Sequence, residues 1–247
     1  MKARMMTAML AMCSMSGLAM AQDSKPASKP AAQPAAIAPP GEKAGGHDMT
    51  PDAMKKQMEA WQAVANPGEM HAWLAHRVGE WDMVVESTNP MDPTKTEKTN
   101  GTTKSHAILG GRFIVSEVKG TMMGMPFEGF EITGYNNATK KFESTWADSM
   151  GTALFNSTGT LNDKKQLTLT GEMLDPASGK NVSMRSVVTV KDNDHTTFEM
   201  YGPGMDGKEA KMMTITYTRK GGIGAKAAAD QIRESHGMPA TKGNGGK

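Results

Sequence analysis

The sequence has a single cysteine in 247 residues, and that one, Cys13, lies in an N-terminal segment expected to be removed. A mature chain without cysteine has no disulfide, no thiol nucleophile and no thiolate metal site. It also lacks an excess of charge. The 28 Lys and Arg residues stand against 26 Asp and Glu, and loss of Lys2 and Arg4 with the leader makes the two counts equal. Nucleic-acid and anionic-membrane surfaces need a concentrated basic patch, so neither is an expected partner. There is no internal repeat, no zinc-ligand spacing and no phosphate-binding glycine loop. No cofactor is expected.

What is present begins with an address. Lys2 and Arg4 precede an apolar run from Met5 to Met20, and Ala19-Met20-Ala21 puts small residues at the two positions that a signal peptidase reads. Residues 1–21 are therefore expected to be a cleavable export signal, leaving a periplasmic or secreted protein. The run is too short and too rich in small residues to span a membrane. Leu10-Ala11-Met12-Cys13 faintly resembles a lipoprotein signal, although the residue before an acylated cysteine is normally small. Residues 22–49 are Pro, Ala and Lys with almost nothing to bury, which reads as a disordered linker. Residues 50–220 are expected to fold as a helix-capped β-barrel. Residues 221–247, rich in Gly and Ala, read as a flexible tail with at most a short helix from Ala225 to Ser235.

Thr50 can cap a helix whose first position is Pro51, with Met54, Met58 and Trp61 at helical spacing until Asn66-Pro67-Gly68 stops it. A second helix over about Glu69 to Arg77 puts Met70, Trp73 and Leu74 on one side. Both are expected to bury their apolar stripes as plugs or lids; partner binding by the stripe is the alternative. From Gly79 the period becomes 2. Trp81, Met83 and Val85 alternate with Asp82, Val84 and Glu86, as a strand with one buried side requires. Similar runs follow at about 96–108, 112–119, 126–135, 141–148, 152–160, 165–174, 180–191, 195–202 and 208–219, separated by Gly, Asn, Asp and Pro turn residues. With no helix between the ten strands, the chain is expected to be a hairpin meander. A meander this long normally closes to remove its edges, so a mainly β, about ten-stranded up-and-down antiparallel barrel with one or two N-terminal helices is the expected fold.

Gly79-x-Trp81 opening the first strand after a short helix, with Arg219 closing the last in "TITYTRK", resembles the lipocalin and calycin signature. That resemblance implies a tryptophan sealing the barrel floor and an arginine packed across it; an ordinary core tryptophan with a surface arginine is the alternative. "LGGRFIVSEVKGTMMGMPFEGFEITGYNNATKKFESTWADSM", "HTTFEMY", "DGKEAKMM" and "ITYTRK" resemble the bacterial domain-of-unknown-function family 1579 over about residues 68–220. The family implies a calycin-like fold and no established activity.

Three groups of residues are candidates for function. In "TMMGMPFEG", Met122, Met123 and Met125 surround Gly124. Thioethers are soft ligands that suit Cu(I), with Met150, Met212 or Met213 as possible additions, but glycine and proline there read as a hairpin tip whose methionines form a pocket rim. His195 is the best general-base candidate, with Asp192 or Asp194 to orient it, yet three polar residues before a strand are also what a turn needs. His71, His76 and His106 have no spacing that joins them to it. Finally, Phe142, Ser144, Trp146 and Asp148 share a strand face, Arg185 lies on a face with Val187, and Glu199 on one with Tyr201. If these faces point inward, Phe142, Trp146, Asp148, Arg185, Glu199 and Tyr201 line a cavity for a small hydrophobic or amphipathic molecule. In the other register, Arg185 and Glu199 pair outside and Met184, Ser186, Phe198 and Met200 face in. The functional expectation is an exported carrier or sensor rather than an enzyme, with a solid structural or interaction module and a methionine-based copper protein as alternatives.

Overall fold

A computed structural model describes residues 50–89, 92–176, 178–204, 206–221 and 225–235. The expected export signal and linker lie outside the described residues. Helix α1 (Pro51–Ala65) starts where Thr50 Oγ1 accepts the Ala53 amide at 3.3 Å. It is followed by α2 (Glu69–Leu74), which runs into a 3-10 turn at Ala75–Arg77. Ten strands come next: β1 (Gly79–Asn89), β2 (Asp92–Ile108), β3 (Phe113–Met122), β4 (Met125–Asn136), β5 (Lys141–Asp148), β6 (Phe155–Leu161), β7 (Gln166–Asp175), β8 (Lys180–Val190), β9 (His195–Pro203) and β10 (Glu209–Arg219). Helix α3 (Ala225–Ser235) ends the described chain.

Each strand pairs antiparallel with its successor, and β1 pairs with β10 from Trp81 opposite Arg219 to Ser87 opposite Met213. The sheet therefore closes on itself as the alternation and the helix-free turns predict, and no strand between β1 and β10 is left with an open edge. The expected fold is the one observed.

The two ends of the barrel differ. At the end where β1 begins and β10 finishes, α2 lays Leu74 against Ile114, Phe142, Leu167 and Leu169, all fully or nearly fully buried, with Trp73 and Tyr135 against Phe142 edge to face. This is a packed floor. Helix α3 covers it from outside: Ala228, Ala229 and Ile232 pack on Ala75, and Arg233 donates to Glu69 Oε2 at 2.7 Å. The short helix expected over Ala225–Ser235 is present and packs as part of the floor, because its Ala and Ile residues recur at helical spacing and find an apolar seat. The opposite end carries the hairpin tips between β1 and β2, β3 and β4, β5 and β6, β7 and β8, and β9 and β10.

Helix α1 departs from the expected plug. None of its residues is buried, and Trp61 is 66% exposed beside exposed Met54 and Met58. It is held at its C-terminal end, where Asn137 Nδ2 donates to the carbonyls of Val64 and Asn66 and Arg112 Nε donates to that of Ala65. Those bonds serve carbonyls that a helix end leaves unpaired.

Candidate functional site in the barrel interior

Pairing across the ladder fixes which side chains enter the barrel, since residues directly opposite share a face. Val188 opposes floor residue Leu167, and Phe198 opposes Val188 and packs on Met83, Val118 and Ile215. Their neighbours Arg185, Glu199 and Tyr201 therefore lie on the outside. There Arg185 stacks on the Tyr201 ring at 4.0 Å and forms a two-pronged pair with Glu209 at 2.9 and 2.6 Å, while Lys211 reaches Glu199 at 2.9 Å. These three do not line the interior. The physical reason is register: Met184, Ser186, Phe198 and Met200 take the inward positions, the pattern of the alternative reading.

Phe142, Trp146 and Asp148 do face inward. Phe142 is consumed by the packed floor. Trp146 lies higher, stacked with Phe127 at 6.3 Å, and its indole N–H donates to Asp148 Oδ2 at 2.8 Å, while Oδ1 accepts the Met150 amide at 2.9 Å. The indole lies flat against the wall because Gly129 has no side chain; a Cβ there would come within 2.3 Å of it.

Above the floor, the inward residues Val85, Phe127, Trp146, Phe198, Met213 and Tyr217 are all only partly buried. They pack against Met83, Val118 and Ile215 and still keep part of their surface accessible. Into this lumen the 3-10 turn delivers Arg77, which pairs with Glu131 of β4. Four residues complete a directed ring: Arg77 Nη1 donates to Thr133 Oγ1 at 3.1 Å, Thr133 to Ser144 Oγ at 3.2 Å, Ser144 to Glu131 Oε1 at 2.7 Å, and Arg77 Nη2 closes on Oε2. The Arg77 and Glu131 side chains keep 25% and 16% of their exposure, so water shares the ring. Burial alone would raise the Glu131 pKa, but the Arg77 charge and the hydrogen bonds outweigh it and hold the carboxyl below its ordinary range. Burial would likewise lower Arg77; the facing carboxylate outweighs it and keeps the guanidinium charged. Nearby Tyr217 is pushed well above the ordinary phenol range, mainly by burial, and stays protonated. None of Arg77, Glu131, Thr133 and Tyr217 was singled out by the sequence.

Gly79, Trp81 and Arg219 meet at the floor. Arg219 lies over the Trp81 ring at 3.8 Å and donates to the carbonyls of His76, Val78 and Asn193, while the Trp81 indole donates to the Arg77 carbonyl at 3.0 Å. Through that last bond the floor seal also positions the backbone that carries Arg77.

The other candidates lie elsewhere. Met122 opposes Met125 across a two-residue turn in which Met123 and Gly124 have φ of 52° and 76°, so the stretch is a hairpin tip at the end opposite the floor. His195 and Asp192 contact each other at 2.9 Å on the exposed turn between β8 and β9, where Asp192 also accepts the Asp194 amide at 2.8 Å. This pair is at the floor end and outside the lumen. A crevice of about 210 Å³ between the end of α1 and the turn joining β4 and β5 is likewise external, and its Arg112 and Asn137 are occupied in capping α1. Among the described residues no group of three His, Cys, Asp or Glu comes together to hold a metal, and no helix is long and apolar enough to cross a membrane.

Residues 66–219 match the family described as "Protein of unknown function (DUF1579)". The chain belongs to this family. No curated protein matches it. Among solved structures, the chain is similar to a protein of unknown function from the DUF3598 family of Nostoc punctiforme, with 7% identity over 62% of this chain and 100% of that one. The TM-score of that likeness is 0.19, too low to bear on mechanism. The DUF1579 match spans the floor helix, all ten strands and Arg219, leaving α1 and α3 outside it.

Proposed function

We propose that this DUF1579 protein is an exported carrier or sensor that holds a small amphipathic molecule in the barrel lumen. The observation that carries the reading is that aromatic and methionine side chains face inward above the packed floor, yet remain partly exposed in a closed barrel. A core selected only for stability would bury those side chains fully, since interiors are close-packed and voids cost dispersion contacts. Apolar walls with a few convergent polar groups are the usual makeup of a small-molecule site. Phe127, Trp146, Phe198 and Met213 would take the apolar body of the ligand, and Arg77, Glu131 and Tyr217 would meet its polar end. The hairpin tip with Met122, Met123 and Met125 would form part of the rim, where flexible thioethers adapt to different shapes.

Native mass spectrometry of the protein purified from its own host tests this. A retained small mass that is lost when Phe198→Trp fills the lumen supports the carrier. A bare chain at every gentle condition, together with no change in Trp146 emission on titration with apolar probes, points instead to a structural module.

A further inference from the structure

A second group of methionines lies on the inner wall, away from the β3–β4 hairpin tip. Arg185, Tyr201 and Lys211 face outward on β8, β9 and β10, so their neighbours Met184, Gly202 and Met212 face the lumen. Met200 faces it as well, opposite Ser186 on β8 and Met213 on β10. Alternation alone would turn Met213 outward. The register of β10 against β9 shifts between Lys211 and Met213, and this bulge inserts one residue, so that Met212 and Met213 both present their side chains inward. Three neighbouring strands thereby bring four thioethers to one patch of wall, and all four keep part of their surface accessible.

Gly202 lets two of them meet. It is buried, and a Cβ on it would lie 2.7 Å from Met212 Sδ and 2.8 Å from Met184 Sδ. Both distances run from one point, so the sulfurs are no further apart than their sum, and both are turned toward the space that a side chain would occupy. A single ion with metal–sulfur bonds of about 2.3 Å can bridge such a pair. Thioethers are soft and uncharged, which suits Cu(I) and disfavours Zn(II) and Mg(II). The charges that share the inner face do not oppose a monovalent cation. Lys180 stands opposite Asp175, Arg77 is paired with Glu131, and Arg219 is packed on Trp81 at the floor. Glu97 stands opposite Ser87, which in turn opposes Met213, and Asp148 adds a further carboxylate to the same face.

We infer that Met184 and Met212 bind a Cu(I) ion over Gly202, with Met200 and Met213 as the nearest further thioethers to complete its coordination. The flexible side chains let the sulfurs close on the ion without moving the strands. This site does not rest on the lumen holding an organic molecule.

Anaerobic titration of the purified chain with Cu(I), against bicinchoninate as competing chelator, tests the site; Ag(I) in nitrate buffer repeats the test without redox chemistry. One ion per chain is expected, with a dissociation constant of about 10 µM or tighter. Copper-edge X-ray absorption is expected to show sulfur at about 2.3 Å. Met184→Leu/Met212→Leu keeps the apolar volume and removes both sulfurs, and is expected to weaken Cu(I) about 100-fold or more. Should that variant fail to fold, the absorption edge of the unaltered chain decides alone. Weaker binding than about 10 µM, a copper shell without sulfur, undiminished affinity in the folded double variant, or a loss that follows Met122→Leu/Met125→Leu instead overturns the inference. None of these outcomes bears on whether the lumen takes an amphipathic molecule.

Discussion

Replacing Arg77 with Met tests whether the hydrogen-bonded ring in the lumen is energetically what its geometry says. The substitution keeps an unbranched side chain reaching about as far as Nε and removes the cation paired with Glu131, leaving a carboxylate held by Ser144 among protein atoms. Breaking a buried pair from one side costs about 3–5 kcal/mol, because the remaining charge is uncompensated. Exposures of 25% and 16% allow water to share that charge, which places the expected loss near the lower end, about 3 kcal/mol. For a domain of this size the melting temperature falls by roughly 6–12 °C. The pH dependence has a definite sign. In the native protein the folded pKa of Glu131 lies below its unfolded value, so its stabilisation is complete above the ordinary carboxylate range and is lost as pH falls through the folded pKa. In Arg77→Met only burial and the weaker hydrogen bonds remain, and the folded pKa rises above the unfolded one. The deficit is then greatest near neutrality and shrinks on acidification, as Glu131 takes up a proton more readily in the folded chain. Arg77→Met/Glu131→Leu removes both charges and should cost about 1 kcal/mol or less. Urea unfolding of the three proteins at pH 7.5, 5.5 and 4 measures all of this. A single-variant deficit under about 1 kcal/mol at pH 7.5, or one that fails to shrink in acid, would refute the reasoning.

Two further substitutions address the floor. Arg219→Ala removes a guanidinium whose side chain is 5% exposed, uncovering the Trp81 face and the carbonyls of His76 and Val78. A loss of about 3–5 kcal/mol is expected by chemical denaturation, with Arg219→Lys recovering less than half because one ammonium cannot serve both carbonyls and the ring. Ile232→Ala empties a side chain that is 5% exposed in the contact between α3 and the floor; about 2–4 kcal/mol is expected, whereas a loosely attached tail would show almost none.

The fold was legible because closure leaves repeated local traces. Every strand begins or ends at a Gly, Asn, Asp or Pro turn, no helix-length segment intervenes, and Trp81 and Arg219 bracket the sheet. What those traces could not convey was the role of the termini. The Met54, Met58 and Trp61 stripe of α1 has the same helical periodicity as a buried face, and periodicity says that a face exists without saying what covers it. Helix α3 was expected over Ala225–Ser235 but its packing was not: Ala228, Ala229 and Ile232 look weakly apolar in sequence, and they are buried on the seat offered by Ala75 and Val78.

The interior was harder to read, and β4 shows why. In "FEGFEITGY" the alternation that normally marks the core would place Phe130 and Ile132 inside and Glu131 outside. Pairing does the reverse: Thr133 opposes buried Ile114 and Glu131 opposes buried Ser116, so Glu131 and Thr133 point inward while Phe130 is left 47% exposed. A wall that alternates against its hydrophobicity is a sign that the space it faces is not an ordinary core. Local sequence cannot detect this, because the cation that makes an inward Glu131 tolerable arrives from Arg77, more than fifty residues earlier on a different element. Only closure of the barrel brings the two together. The same closure excludes Arg185, Glu199 and Tyr201, whose outward partners Glu209 and Lys211 are set by the β9–β10 hairpin. Register therefore decides which of two equally plausible polar sets enters the barrel. Within the set it selects, Arg77 and Glu131 are paired with each other and joined to Thr133 and Ser144.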